Sequence, residues 1–117
     1  MKPLIILAAA AFAAILHADP LAAPPRPFPP DVRAAVKAEA AKKWGTNYDM
    51  QQYELERQFK AMDQFNAART KGMPPLPFAV SAQILKAAWN KWGVNFEMVM
   101  FEANNQAAAW KKLNGVP

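Results

Sequence analysis

The sequence has no cysteine, which excludes disulfide bonds, thiol catalysis and thiolate metal sites together. Its single histidine, His17, falls in an N-terminal segment that we predict to be removed on export. Without an imidazole, the remaining chain cannot form a Ser-His-Asp triad, a Cys-His dyad or a histidine-bearing zinc site. The four glycines all lie at predicted helix ends, so a glycine-rich phosphate loop is also missing. We therefore predict no metal site and no cofactor.

Extended runs of basic residues interleaved with aromatic ones are also missing, although the formal net charge is +5. Many lysines and arginines fall near the predicted C-terminal ends of helices, where cations complement the helix dipole. We therefore do not expect nucleic acid as a partner. Threonine and alternating Val/Ile pairs are scarce, whereas alanine, methionine and aromatic residues are plentiful, which favours helices over sheet.

Residues 1–18 have the pattern of a secretory signal peptide. Lys2 supplies a positive charge, an apolar run from Pro3 to Leu16 follows, and Ala18 ends an imperfect small-residue cleavage site. The apolar run of about 14 residues is short for a bilayer span, which needs about 20. We predict a periplasmic or secreted protein. An uncleaved anchor with membrane-surface association is the alternative, and it is not favoured.

Proline is concentrated in two segments. Residues 19–30 are too rich in proline to form a helix, so we predict an extended arm there. The second segment falls in a linker that we place at residues 71–80. Pro27-Phe28-Pro29 aligns with Pro75-Leu76-Pro77, and we expect Phe28 and Leu76 to pack equivalently.

The most informative feature is an internal repeat. Trp44-Gly45-Thr46-Asn47-Tyr48-Asp49-Met50 returns 48 residues later as Trp92-Gly93-Val94-Asn95-Phe96-Glu97-Met98. Tryptophan at a helix end, glycine as its cap and asparagine as the next N-cap predict a tight turn between two helices. Two such turns predict an all-α protein made of two tandem αα-hairpins.

The helical periodicity sets the predicted boundaries. The first helix follows the N-cap Asp31 and ends at Trp44, the second spans Tyr48 to about Arg69, the third follows Ser81, and the fourth spans Phe96 to about Asn114. Residues 31–117 then form one four-helix domain, with hairpin one at 31–70 and hairpin two at 81–115. We predict pseudo-twofold packing of the hairpins, with a short solenoid-like stack as the alternative.

Each hairpin also has a predicted core stripe. In the second helix it comprises Tyr48, Leu55, Phe59, Met62 and Asn66, and in the fourth helix Phe96, Val99, Met100, Ala103, Ala107, Trp110 and Leu113. We expect Trp89, Trp92 and Trp110 in the core.

Apolar residues remain outside these stripes, and they are the candidate binding residues. Together with a glutamate that occurs at the same position in both copies, they form one stripe: Met50, Tyr53, Glu54, Met98, Phe101 and Glu102. Internal packing of one hairpin on the other would account for this stripe, whereas an exposed stripe of methionine and aromatic residues is typical of an interface. A pair of facing glutamates could also divide acid and base roles in a small hydrolase. Each glutamate could instead bind Gln58 or Gln106 at i+4, which favours a structural role.

The Trp-Gly-x-Asn-aromatic-x-Met pattern with Tyr53, Gln58 and Ala61 resembles a helical-hairpin segment of small bacterial proteins of unknown function. This resemblance covers about 25 residues per repeat and implies no activity and no catalytic residues. We predict a non-catalytic exported module that binds a protein partner or a second copy of itself. The alternatives are the small hydrolase and a membrane-surface-associated envelope protein.

Overall fold

The computed structural model describes residues 25–117, which form four helices without any strand in that range. The helices are α1 (Val32–Trp44), α2 (Tyr48–Lys71), α3 (Phe78–Trp92) and α4 (Phe96–Leu113). The predicted all-α class is therefore confirmed for this part of the chain. The predicted signal peptide and residues 19–24 of the predicted arm lie outside the described residues.

The helix ends follow the predicted capping residues at three of the four starts. The Asp31 carboxylate accepts a hydrogen bond from the Ala34 N–H at 3.0 Å, and the Asn47 and Asn95 side chains accept from the N–H groups of Met50 and Met98. Each side chain thereby satisfies a backbone donor that has no partner within its own helix.

The start of α3 differs from the prediction. Ser81 was predicted as the N-cap, but the helix begins at Phe78 with Pro77 in the N-cap position and no side-chain cap. Pro77 already has a backbone suited to entering a helix, so no serine cap is needed. Ser81 is buried within the helix, where its hydroxyl accepts a hydrogen bond from the Met73 N–H at 2.9 Å. Ser81 therefore pairs with a backbone donor of the linker and does not cap α3.

The core is formed by the facing sides of all four helices. Of the stripe predicted for α2, Met62 is buried and Leu55 and Phe59 pack against the core. The helix also buries residues outside that stripe because it packs on α1, α3 and α4: Gln58, Ala61, Phe65 and Ala68. Tyr48 is 71% exposed and Asn66 is exposed, and Leu113 of α4 is 85% exposed. Trp89 is buried, and Trp92 and Trp110 are half-buried. The buried cluster consists of Val36, Ala61, Met62, Phe65, Ala68, Leu85, Ala88, Trp89, Phe96, Val99, Met100 and Ala103.

Helices α2 and α4 lie side by side and run in the same direction. Arg57 pairs with Glu97 near one end, and Lys71 and Lys111 line a common cavity near the other. The ion-paired residues are 40 positions apart, whereas equivalent residues of the two copies are 48 apart. The second hairpin is therefore displaced along the first by eight residues, which is about 12 Å at 1.5 Å per residue.

This displacement is incompatible with the predicted pseudo-twofold packing. A twofold axis would place equivalent residues of two parallel helices at the same level, and it would pack α1 on α4 as α3 packs on α2. Of the described helices, α1 approaches α2 alone, whereas α3 approaches both α2 and α4. The prediction of twofold packing is wrong, and the hairpins form a short staggered stack.

Candidate functional site

The first helical corner holds Glu54 in place. The Trp44 indole Nε1–H donates a hydrogen bond to Glu54 Oε1 at 2.9 Å, and Lys43 Nζ lies 2.9 Å from the same oxygen. The Lys43 ammonium also lies 5.3 Å from the centroid of the Trp44 ring. The last turn of α1 and the second turn of α2 are thus joined through one carboxylate.

The second corner repeats this arrangement with Glu102. The Trp92 indole donates to Glu102 Oε1 at 3.0 Å, Lys91 Nζ lies 3.0 Å from that oxygen, and the Lys91 ammonium lies 5.3 Å from the Trp92 ring centroid. Each glutamate is therefore bound inside its own hairpin. The i+4 partners that we considered, Gln58 and Gln106, are not the residues that hold them.

The ionisation of Glu54 follows from these contacts. Burial alone would raise its pKa, but hydrogen bonds from Trp44 and Lys43 and the charges of Lys43 and Arg57 outweigh burial and hold the pKa of Glu54 below the ordinary glutamate value. Glu54 lines a cavity of about 270 Å³ in which Glu102 has no part. The structure does not bring the two glutamates together in one cleft.

Three of the six candidate binding residues, Tyr53, Met98 and Phe101, lie around the Arg57–Glu97 ion pair. Tyr53 and Phe101 are 53% and 61% exposed. Arg57 lies between them, with its guanidinium carbon 5.0 Å from the centroid of the Tyr53 ring and its Nε donating to Glu97 Oε2 at 2.8 Å. Phe101 and Met98 line a shallow cavity together with this ion pair. We call this surface the aromatic patch: Tyr53, Arg57, Glu97, Met98 and Phe101.

The other three candidates do not belong to the aromatic patch. Glu54 and Glu102 belong to the corners, and Met50 is half-buried in the first turns of α2. The stripe that the repeat predicts is therefore divided, because Glu54 and Glu102 are each bound within their own corner.

Gln58 is a structural residue whose part the sequence did not reveal. Its side chain is only 6% exposed. Its Nε2 donates to Asn95 Oδ1 at 3.0 Å, and its Oε1 accepts from the Glu97 N–H at 3.1 Å. Gln58 therefore fixes the start of α4 against α2. The repeat does not distinguish this position, because the equivalent residue of the second copy, Gln106, is also a glutamine.

The proline-rich segment packs on the helices through Phe28, but at a place that the repeat did not predict. The Phe28 ring stacks on Trp89, with ring centroids 4.2 Å apart and an interplanar angle of 19°. The Trp89 indole donates to the Arg26 carbonyl at 2.7 Å, and the Arg26 N–H donates to Asn90 Oδ1 at 2.9 Å. Residues 25–30 form no helix, and Arg26 binds this segment to α3. Leu76 is instead buried beside a cavity between α2 and α4, so Phe28 and Leu76 do not pack equivalently.

This docking creates a cleft of about 410 Å³ between the segment, α2 and α3. Its floor is apolar, with Phe65, Leu85 and Trp89 all buried. A single phenylalanine within a proline-rich stretch was the only sequence signal for it. We call it the arm cleft, and its lining is Pro25, Arg26, Phe28, Phe65, Arg69, Phe78, Ala82, Leu85, Lys86, Trp89 and Asn90.

Comparison with known proteins adds no family. No protein-family model matches the chain, and neither the curated proteins nor the solved structures include a significant match. The resemblance of the Trp-Gly-x-Asn segment to small bacterial proteins stays a prediction. Within residues 25–117, no cluster of three or more potential metal ligands occurs. None of the helices in this range is long and apolar enough to cross a bilayer.

Proposed function

We propose that this protein is a small exported binding module without catalytic activity, and that it binds a protein partner through the aromatic patch. The observation that carries the proposal is the exposure of Tyr53 and Phe101 on either side of the Arg57–Glu97 ion pair. Tyrosine, phenylalanine, methionine and arginine are enriched at protein interfaces, and all four residue types occur here.

The ion pair suits this purpose. Arg57 and Glu97 neutralise each other at 2.8 Å, so a partner that covers them does not bury an unpaired charge. The two aromatic rings are held on helices, and Tyr53 is further fixed by the guanidinium above it. The side chains of this surface therefore lose little conformational entropy when a partner binds. The partner is another protein or a second copy of this chain.

The contacts of the two glutamates favour a binding role over the hydrolase alternative. A general acid at neutral pH needs a raised pKa, whereas the pKa of Glu54 is lowered by its hydrogen bonds and neighbouring cations. Each carboxylate already accepts an indole and an ammonium hydrogen bond within its corner. Export to the periplasm or medium is proposed from the sequence of residues 1–18.

Phe101→Asp tests this proposal directly. The side chain is exposed, so the fold should persist, while a carboxylate in the centre of an interface should weaken binding by tenfold or more, by an order-of-magnitude estimate. Light scattering of the purified protein reports self-association. Capture from the envelope fraction identifies a separate partner, whose affinity is then measured by calorimetry with both components purified.

Leu113→Asp is the matched control, because Leu113 is an exposed apolar residue of the same helix that lies outside the aromatic patch. If Phe101→Asp and Leu113→Asp bind the purified partner as tightly as the unchanged chain does, the aromatic patch is not the interface and the proposal fails.

A further inference from the structure

We propose that the arm cleft is a second binding site, separate from the aromatic patch, and that it takes a small carboxylate with an apolar body. Its volume of about 410 Å³ is within the range of small-molecule sites. It lies on the α2–α3 side of the molecule and shares no lining residue with the aromatic patch.

The floor and walls of the arm cleft fit an apolar body. Phe65 and Trp89 are buried beneath it, with ring centroids 6.2 Å apart. Phe28 and Phe78 stand at its sides and are each about half exposed. Covering these two rings would remove apolar surface from water, which is the main favourable term in binding such a ligand.

The rim of the arm cleft fits an anionic head. Its charged lining residues are Arg26, Arg69 and Lys86, and no acidic residue lines it in the described part of the chain. The three ion pairs found within residues 25–117 involve other cations, so these three are not paired with acids there. Three cations around an apolar cavity select a negative ligand by charge complementarity.

Arg69 is the best placed of the three cations. Its guanidinium carbon lies 4.6 Å from the Phe28 centroid and 5.6 Å from the Phe65 centroid. Stacking on the rings orients the planar group and leaves its N–H edge available, the geometry in which arginine binds a carboxylate through two hydrogen bonds. Arg26 is partly engaged, since its Nε donates to the Asn90 carbonyl at 3.2 Å.

Calorimetry with three probes tests the chemistry. Naphthalene-2-carboxylate carries an aromatic body and the anionic head, octanoate carries an aliphatic body with the same head, and 2-naphthalenemethanol carries the aromatic body without charge. We expect both carboxylates to bind and naphthalene-2-carboxylate to bind at least about tenfold more tightly than the alcohol, because hydrogen bonds to charged groups are the stronger ones. Equal affinity for acid and alcohol would overturn the assignment of an anionic head, and failure of all three probes to bind would overturn the site.

Arg69→Met should lower the affinity for naphthalene-2-carboxylate about tenfold and change that for the alcohol little. The matched control is Arg33→Met, because the Arg33 guanidinium carbon also lies 4.6 Å from a phenylalanine centroid, that of Phe59, outside the arm cleft. If both variants lower the affinity equally, the effect is not local and the proposal fails. In NMR spectra the Trp89 indole N–H should shift on binding, while the Trp44 indole N–H, held by Glu54, should not.

Discussion

The two helical corners of this protein contain the same contacts in different surroundings. In both, an indole and an ammonium bind one glutamate, and an asparagine caps the next helix. Gly45 and Asn47 of the first corner are exposed, whereas Gly93 of the second is buried. Gln58 and Arg57 of α2 bind the start of α4 at the second corner, and Arg26 lies beside Gly93.

The comparison separates the contacts that form a corner from the contacts that join the two hairpins. In the first corner the lysine, tryptophan and glutamate contacts are all made within hairpin one. Its remaining polar contact, from the Gln51 side chain to the Gly45 carbonyl, is also internal to hairpin one. The second corner makes the same local contacts and in addition holds the two hairpins together. Substitutions at equivalent positions should therefore differ by the contribution of that junction.

Glycine replacements should give the largest effects. Gly45 and Gly93 have φ of 57° and 61° with strongly negative ψ, a backbone that residues with a Cβ rarely adopt. We expect Gly45→Ala to cost about 1–3 kcal/mol. Gly93→Ala should cost about 1 kcal/mol more, because its Cβ would lie 3.0 Å from an Arg26 nitrogen and displace that side chain. Urea unfolding measures both.

An Arg26→Ala background isolates the contribution of the arm to the glycine effect. The excess cost of Gly93→Ala should disappear there, while that of Gly45→Ala should be unchanged. An excess that persists without Arg26 would show that the arm does not distinguish the two corners.

Equivalent glutamines should differ next. Gln58→Ala should cost about 2 kcal/mol, because it leaves the Glu97 N–H and the Asn95 side chain in a part-buried place without their partner. For Gln106→Ala, we expect a loss below about 0.5 kcal/mol, since the residue is only half-buried. Denaturant midpoints of the two variants give the comparison. Equal losses would contradict the view that only the second corner carries the junction.

The lysine–glutamate pairs should behave alike in the two corners. Double-mutant cycles with Lys43→Met and Glu54→Gln, and with Lys91→Met and Glu102→Gln, should each give a coupling of about 0.5–1 kcal/mol, since both pairs are partly exposed. Added salt should weaken both couplings. A coupling found in one corner alone would break the local equivalence.

Acidification should change the free energy of unfolding least near neutral pH and increasingly as the pH falls. The folded-state pKa of Glu54 is lowered, so its ionised carboxylate stabilises the fold above the unfolded-state pKa, and this stability is lost as the pH falls through the folded value. The melting temperature should therefore fall less steeply between pH 7 and pH 3 for Glu54→Gln than for the unchanged chain. Lys43→Met should move the loss to higher pH. Identical pH profiles for all three proteins would contradict this account.

The local fold could be predicted from the sequence because each corner is specified by adjacent residues. Tryptophan, glycine and asparagine fix the helix ends through backbone preferences and caps that act within a few positions. The start of α3 could not be predicted in this way. Serine is a common N-cap residue, but whether Ser81 caps the helix or binds the Met73 N–H depends on where the linker lies.

The relation between the hairpins could not be predicted from the repeat. Identical motifs indicate that two units share a structure, but their displacement depends on side chains such as Arg57 and Gln58 that contact the other unit. The candidate stripe is divided, with Tyr53 and Phe101 in one patch, because Glu54 and Glu102 are bound by the indoles of their own corners. The arm cleft depends on the docking of Phe28 on Trp89, a contact between residues far apart in the chain.

The eight-residue displacement also gives the molecule a direction. Units related by a twofold axis close on themselves, whereas displaced units leave two unlike faces to which a further unit could be added. On α4, the positions equivalent to Arg57 and Gln58 are Asn105 and Gln106. The glutamine is retained but the arginine is not, so this face lacks the cation that binds the acidic first turn of a following hairpin. A third hairpin packed in the same register would therefore meet a junction without the counterpart of the Arg57–Glu97 ion pair.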